Sequence, residues 1–485
     1  MGNIALLVIF TSLLQLSVQT MAGERKTYKA AVVEYHPELT TTENIKNYLT
    51  YIEKAGKEKA DIILLPESTL TTTTNGSLVP HPSEKVIPYL NKTYIAHEAV
   101  RAMSEAAAKN KLYVLANVLE RVECTNKTNC PPRGYFIYNT NIVFDRKGTV
   151  IARYRKFNVY DEKQDKPERD LSTFTTDFGV TFGTFICFDV LFKTPAIELV
   201  REKGVKHFLF SSFWYSEVPF LTASQVQAGW SYAMNATLLA VGANKPAIGT
   251  TGCGLYLGRG KSYRAMREID MSVMLFFTVP IDGSSAELSD VYEFKYLRNT
   301  PGISPRTLNV MSDRSIPAST GKDLDMKAGS FDSEICDGVL CCRVTAKYRN
   351  STIENLQNYK YRALAFQGIR CFGENNWHEV AYCGVVLCMG DHCAKKPPND
   401  QYPLIFDEIK IEGLWKGKEA FQMPTTLVYK KDDNNHSLMD ILDNDNFVFK
   451  SERTQGGEAA NVSMKLLKKN IGNLISFGVY GRVFK

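Results

Sequence analysis

The stretch Thr181-Phe-Gly-Thr-Phe-Ile-Cys-Phe-Asp189 decides how the first half of this chain folds. Apolar residues dominate from Val180 to Phe188 without a helical period, as in a strand buried on both faces. Beyond it, Thr194-Pro195 offers an N-cap threonine and a first-turn proline, so a helix is expected over Ala196 to Lys203. A buried strand, a sharp turn and a helix would present Cys187 beside exposed backbone N–H groups, where a thiolate is favoured. Taken alone, the segment also fits a buried structural cysteine or one half of a disulfide.

Similar apolar runs occur on either side. Lys29 to Glu34, Asp61 to Leu65, Leu112 to Leu119, Phe208 to Ser211 and Leu238 to Val241 read as further buried strands. Helical patterns lie between them at Glu43 to Lys59, Ile95 to Lys109 and Thr222 to Asn235. Phe136 to Phe144 and Val150 to Tyr154 flank the turn Asp145-Arg-Lys-Gly148 and predict a hairpin. Alternating strands and helices predict a layered α/β domain over residues 28–300. After about residue 315 helical periodicity fades and cysteines cluster, so residues 315–485 read as a disulfide-stapled, mostly β domain.

The 485-residue chain opens with an apolar run from Ile4 to Leu16, then small residues at Ala22 and Gly23. This is the pattern of a signal peptide over residues 1–22, although no Lys or Arg precedes the run. Sequons at Asn75, Asn91, Asn126, Asn235, Asn350, Asn435 and Asn461 and a total of 11 cysteines agree with an oxidising, extracellular destination. No transmembrane segment or lipid-anchor tail is expected, because Arg482 and Lys485 interrupt the last apolar stretch. The net charge of +6 is dispersed, which argues against a nucleic-acid partner. The cysteine cluster contains no C-x₂-C pair, so no metal site is expected.

Two more residues carry chemical interest. Leu64-Leu-Pro-Glu-Ser68 sets Glu67 at the end of a buried strand, where apolar walls raise a carboxyl pKa and suit a general base. A loop-start glutamate pairing with a surface lysine is the alternative. Lys156 lies in Ala152-Arg-Tyr-Arg-Lys-Phe-Asn158, which by itself reads as the solvated face of a strand. No histidine adjoins Cys187 to suggest a local Cys-His relay.

Together, Glu67, Lys156 and Cys187, in that order, resemble the catalytic set of the nitrilase superfamily. The likeness is closer to its vanin and biotinidase branch, in Cys124-Thr-Asn-Lys-Thr-Asn-Cys130-Pro-Pro, Tyr138-Asn-Thr-Asn-Ile-Val-Phe-Asp145, Thr184-Phe-Ile-Cys-Phe-Asp-Val-Leu-Phe192 and Cys336-Asp-Gly-Val-Leu-Cys-Cys342. It extends from about Lys29 to the C-terminus and implies a four-layer αββα sandwich followed by the β domain. It further implies that Cys187 attacks an amide as a thiolate, Glu67 transfers protons, and Lys156 with the Phe188 N–H stabilises the oxyanion. Glu162 stands where many nitrilases carry a second, orienting glutamate. No cofactor is implied.

The branch pairs Cys124 with Cys130 and accounts for six C-terminal cysteines. Cys253 and Cys371 remain, either bonded to each other across the two domains or as separate free thiols. Trp214 is the candidate pocket aromatic and Trp230 a packing residue. The substrate implied is a small-molecule amide, pantetheine first and a biotin amide such as biocytin second. A catalytically silent secreted binding protein and an acyl transferase remain alternatives.

Overall fold

The computed structural model describes residues 25–71, 76–124, 129–161, 163–283, 287–294, 308–351, 358–396, 402–431 and 437–484. The signal peptide, Glu162 and the sequons at Asn75, Asn126 and Asn435 lie outside the described residues.

In chain order the first-domain strands are β1 (Thr27–Tyr35), β2 (Ile62–Leu64), β3 (Tyr113–Glu123), β4 (Tyr135–Phe144) and β5 (Val150–Arg155). Then come β6 (Thr173–Thr175), β7 (Thr181–Ile186), β8 (His207–Ser212) and β9 (Thr237–Ala243). β10 (Cys253–Leu257), β11 (Ser262–Ala265), β12 (Ser272–Pro280) and β13 (Glu287–Phe294) complete them. They form two sheets, one ordered β5-β4-β3-β2-β1-β12-β13 and the other β6-β7-β8-β9-β10-β11. A short parallel contact pairs Glu34 with Gly242 and Tyr35 with Ala243, and so joins the sheets.

Strand alternation builds the layers. Ala30 and Val32 of β1 face a cluster containing Leu209, Leu239 and Val241 of the opposite sheet. Ala31, Val33 and Tyr35 point the other way, onto α1 (Thr41–Lys57) and α2 (Glu98–Asn110). On the far side, Phe185, Phe208 and Phe210 meet the one-turn helix α3 (Glu198–Arg201) and α4 (Ala223–Met234), which carries Val226 and the fully buried Trp230. The result is helix, sheet, sheet, helix. The expected cap at Thr194 is not made by its side chain. Thr194 is extended (φ −96°, ψ 126°) and its carbonyl instead accepts from Asn158 Nδ2 at 2.7 Å.

The second domain is a sandwich of a six-stranded and a five-stranded sheet. Its strands include β14 (Leu340–Asn350), β15 (Tyr359–Phe372), β16 (Asn376–Met389) and β17 (Ala420–Lys431). One face of the six-stranded sheet fills the sandwich core; the other, with Phe366, Tyr382 and Tyr480, packs into the same cluster as α4. Contact there is close, because a Cβ on Gly229 of α4 would lie 2.6 Å from the Pro424 carbonyl.

Disulfides join Cys124 to Cys130, Cys336 to Cys341, Cys342 to Cys383 and Cys388 to Cys393. A Cys253–Cys371 bridge is not formed, and both thiols are free. Cys253 is enclosed between the two sheets of the first domain, whereas the second domain docks one layer away, on the helical face. No helix among the described residues is long and apolar enough to cross a membrane.

Candidate active site

Glu67 follows β2 and is buried (1% exposed). Its Oε1 accepts from Lys156 Nζ at 2.8 Å and Asn139 Nδ2 at 2.7 Å, and its Oε2 from the Phe213 N–H at 2.7 Å. Lys156 extends β5, its own N–H donating to the Asn139 carbonyl at 2.8 Å. Its side chain is fully covered and pairs with Glu67. The pair is therefore a buried ion pair whose carboxylate has both oxygens satisfied.

A polar ladder between the sheets fixes it. Asn117 Nδ2 donates to Asn139 Oδ1 at 2.7 Å and Asn141 Oδ1 at 3.1 Å, while its own Oδ1 accepts the Ser68 N–H at 2.9 Å. Asn141 also accepts from Ser211 Oγ at 2.7 Å and donates to Thr184 Oγ1 at 3.0 Å. The ladder thus ties β3 and β4 of one sheet to β7 and β8 of the other. Asparagine is depleted in strands, so Asn139 and Asn141 within an otherwise β-rich run are the signal by which sequence reasoning could have found the ladder.

Cys187 follows β7 with φ +47°, a left-handed conformation that costs a non-glycine residue about 1–2 kcal/mol. The turn is held by Asp189. Its Oδ2 accepts from the Ile186 N–H at 3.0 Å and Tyr154 Oη at 2.7 Å, and its Oδ1 from the N–H and Nδ2 of Asn158, each at 2.8 Å. Burial pushes the Asp189 carboxyl up to about 6, against the downward pull of these donors.

Glu67 and Cys187 open into a cavity of about 500 Å³. Tyr160, Phe188, Phe213, Trp214 and Tyr215 form an aromatic wall, and Phe372, Gly373 and Glu374 reach in from the second domain. Trp214 is fixed by its indole N–H, which donates to the Leu221 carbonyl at 2.9 Å. Phe188 stacks edge-on against Tyr160 at 5.2 Å. The aromatic partner Tyr160 and the second-domain contributions were not read from sequence, because nothing local marks residues about 200 positions apart as neighbours. Glu334, Cys336 and Cys341 come together elsewhere, but the two sulfurs are joined in a disulfide.

Residues 29–265 match the carbon-nitrogen hydrolase family and residues 308–485 the Vanin C-terminal domain. The chain is 33% identical over 501 residues to Vanin-like protein 2 of Drosophila melanogaster, covering 97% of this chain and 92% of that protein. It is 30% identical over 364 residues to the pantetheine hydrolase VNN2 of Homo sapiens, covering 71% of this chain and 68% of that one. Against biotinidase of Takifugu rubripes the identity is 27% over 471 residues, with 91% and 88% covered. Fold and family together define a hydrolase acting on carbon–nitrogen bonds. The chain belongs to the vanin/biotinidase branch of the nitrilase superfamily.

Proposed function

We propose that the chain is an extracellular amidase that hydrolyses pantetheine to pantothenate and cysteamine through a thioester on Cys187. The observation that carries this reading is Glu67, pinned through both oxygens and opening into the same cavity as a strained cysteine. Glu67 takes the thiol proton, and the Cys187 sulfur attacks the amide carbonyl carbon. Lys156 and the Phe188 N–H stabilise the oxyanion that develops. The C–N bond then breaks, the leaving amine takes the proton from Glu67, and the acyl group remains on sulfur. Water, deprotonated by Glu67, attacks the thioester; the C–S bond breaks and the proton returns to sulfur.

Pantetheine is chosen because relatives bear that activity in their names and the aromatic cavity suits a small neutral amide. Four disulfides and the exposed sequons Asn91, Asn235, Asn350 and Asn461 support an extracellular setting. The test is hydrolysis of pantetheine and biocytin by the purified protein beside Cys187→Ala. Pantetheine turnover lost in the variant supports the reading, and turnover of biocytin alone moves it to biotin amides. Turnover of neither, with no Cys187 labelling by a thiol probe, overturns it in favour of a silent binding protein.

A further inference from the structure

The second domain does more than cover apolar surface, because its β15–β16 hairpin reaches the cavity. Arg370 of β15 is buried (4% exposed) just before the hairpin tip. Its Nη2 donates to Glu217 Oε2 at 2.5 Å and its Nη1 to Asp313 Oδ2 at 2.6 Å. Glu217 belongs to the first domain and lines the cavity. Asp313 follows Met311 and Ser312, which pair with Glu217 and Val218 where the chain enters the second domain. The same guanidinium lies over the Phe372 ring, 4.0 Å from its centroid, and Phe372 is a cavity wall.

One cation therefore organises three separate pieces of chain around the mouth of the site. Burial pushes the Glu217 carboxyl up and Arg370 pulls it back. Without the guanidinium, two buried carboxylates would face each other with only the weaker pull of Arg314 on Glu217. The hairpin tip is held a second way. The Glu374 N–H donates to Asp161 Oδ2 at 2.8 Å, and Asn376 Nδ2 bonds the Tyr160 carbonyl. Gly373 at the tip has φ +64° and lies so close to the Asp161 carboxylate that a Cβ would overlap it.

We propose that Arg370 is a positioning residue of this active site: it fixes Glu217 and Phe372 as the outer wall of the cavity, and through them sets the affinity for substrate. The role rests on the amidase reading above. Glu67 takes its hydrogen bonds from Lys156, Asn139 and the Phe213 N–H, which lie outside the hairpin, so loss of Arg370 is expected to act on substrate binding more than on bond cleavage.

The experiment compares KM and kcat of wild type, Arg370→Met, Arg370→Lys and Gly373→Ala on the amide that the wild type hydrolyses. The rate of Cys187 alkylation by iodoacetamide, followed by peptide mapping, reports the inner site. Arg370→Met should raise KM about tenfold or more while kcat changes by less than about threefold. Cys187 alkylation should be unchanged, and Arg370→Lys should recover part of the affinity. Gly373→Ala, which displaces the tip without removing a charge, should show the same split. An unchanged KM in a folded Arg370→Met overturns the proposal, as does a loss of kcat alone that tracks the folded fraction. If Arg370→Met does not fold, an unchanged KM in Gly373→Ala overturns it. Absence of turnover in the wild type sinks the amidase reading and this role with it, whereas turnover with unaltered KM in the variants sinks only the role.

Discussion

Lys156 sets the charge balance of the site, since it donates to Glu67, a carboxylate with almost no water around it. Lys156→Met should leave Glu67 buried and unpaired, so the variant is expected to lose about 3–5 kcal/mol of stability by denaturant unfolding. Its kcat should fall by about 10²–10³ in the same preparations, the usual cost of one oxyanion donor. Cys187→Ala should behave differently, with no turnover but wild-type stability within about 1 kcal/mol, because only the thiol at the cavity is removed and the backbone conformation stays as it is. Cys187 and Glu67 draw notice in the sequence because each stands at the end of an apolar run, where a polar side chain needs a reason; Lys156, among the basic residues Arg153 and Arg155, draws it only through the family resemblance. Asn117, Asn139 and Asn141 do not, since their meaning lies in mutual contacts across strands. Glu217 and Arg370 were hidden more deeply, being separated by 153 positions and joined only by domain docking.

At the scale of elements the junction between the two sheets is the sensitive point. Glu34 sits there, fully buried, its Oε1 accepting from Asn244 Nδ2 at 2.7 Å and Thr251 Oγ1 at 2.5 Å. Burial pushes its carboxyl from 4.5 up to about 7. The folded state thus binds the proton more tightly than the unfolded chain. Its contribution is complete below about 4.5 and is lost as pH rises through about 7, a change of about 3 kcal/mol. Stability should therefore decline across that window, with Asp189 adding a similar slope up to about pH 6. Glu34→Gln, which mimics the protonated form, should flatten the decline in thermal melts taken from pH 5 to pH 8. A slope as steep as that of wild type would assign the pH dependence elsewhere. The strands that meet here were readable in sequence because each is apolar on both faces. Their division into two sheets was not, since it depends on which edge of β1 and β9 each later strand selects.

For the whole molecule, the question is whether the domains are separable. Phe366, Tyr382 and Tyr480 lie in strands of the β domain, and nothing in their local sequence pattern shows that they face the other domain. The structure puts them in one cluster with Trp230, Phe208 and Phe185. The sandwich has its own staple in Cys342–Cys383, which joins its two sheets across 41 positions, while Cys336–Cys341 and Cys388–Cys393 each close only five. In the chain-entropy view the long bridge contributes about 4 kcal/mol and each short one about 2 kcal/mol. Replacing Cys342 and Cys383 together by alanine should lower stability most, as read by the denaturant midpoint. Truncation after residue 300 tests docking directly. It would expose the α4 face around Gly229 and remove Phe372 from the cavity wall, along with the Arg370 that packs on it. Apolar patches of that kind drive association, so the isolated first domain should aggregate or bind a hydrophobic dye. Co-expression of residues 308–485 should restore solubility and turnover together. A truncated chain that stays monomeric and hydrolyses the amide with wild-type KM would show the two domains to be independent, against the shared core and the shared cavity wall.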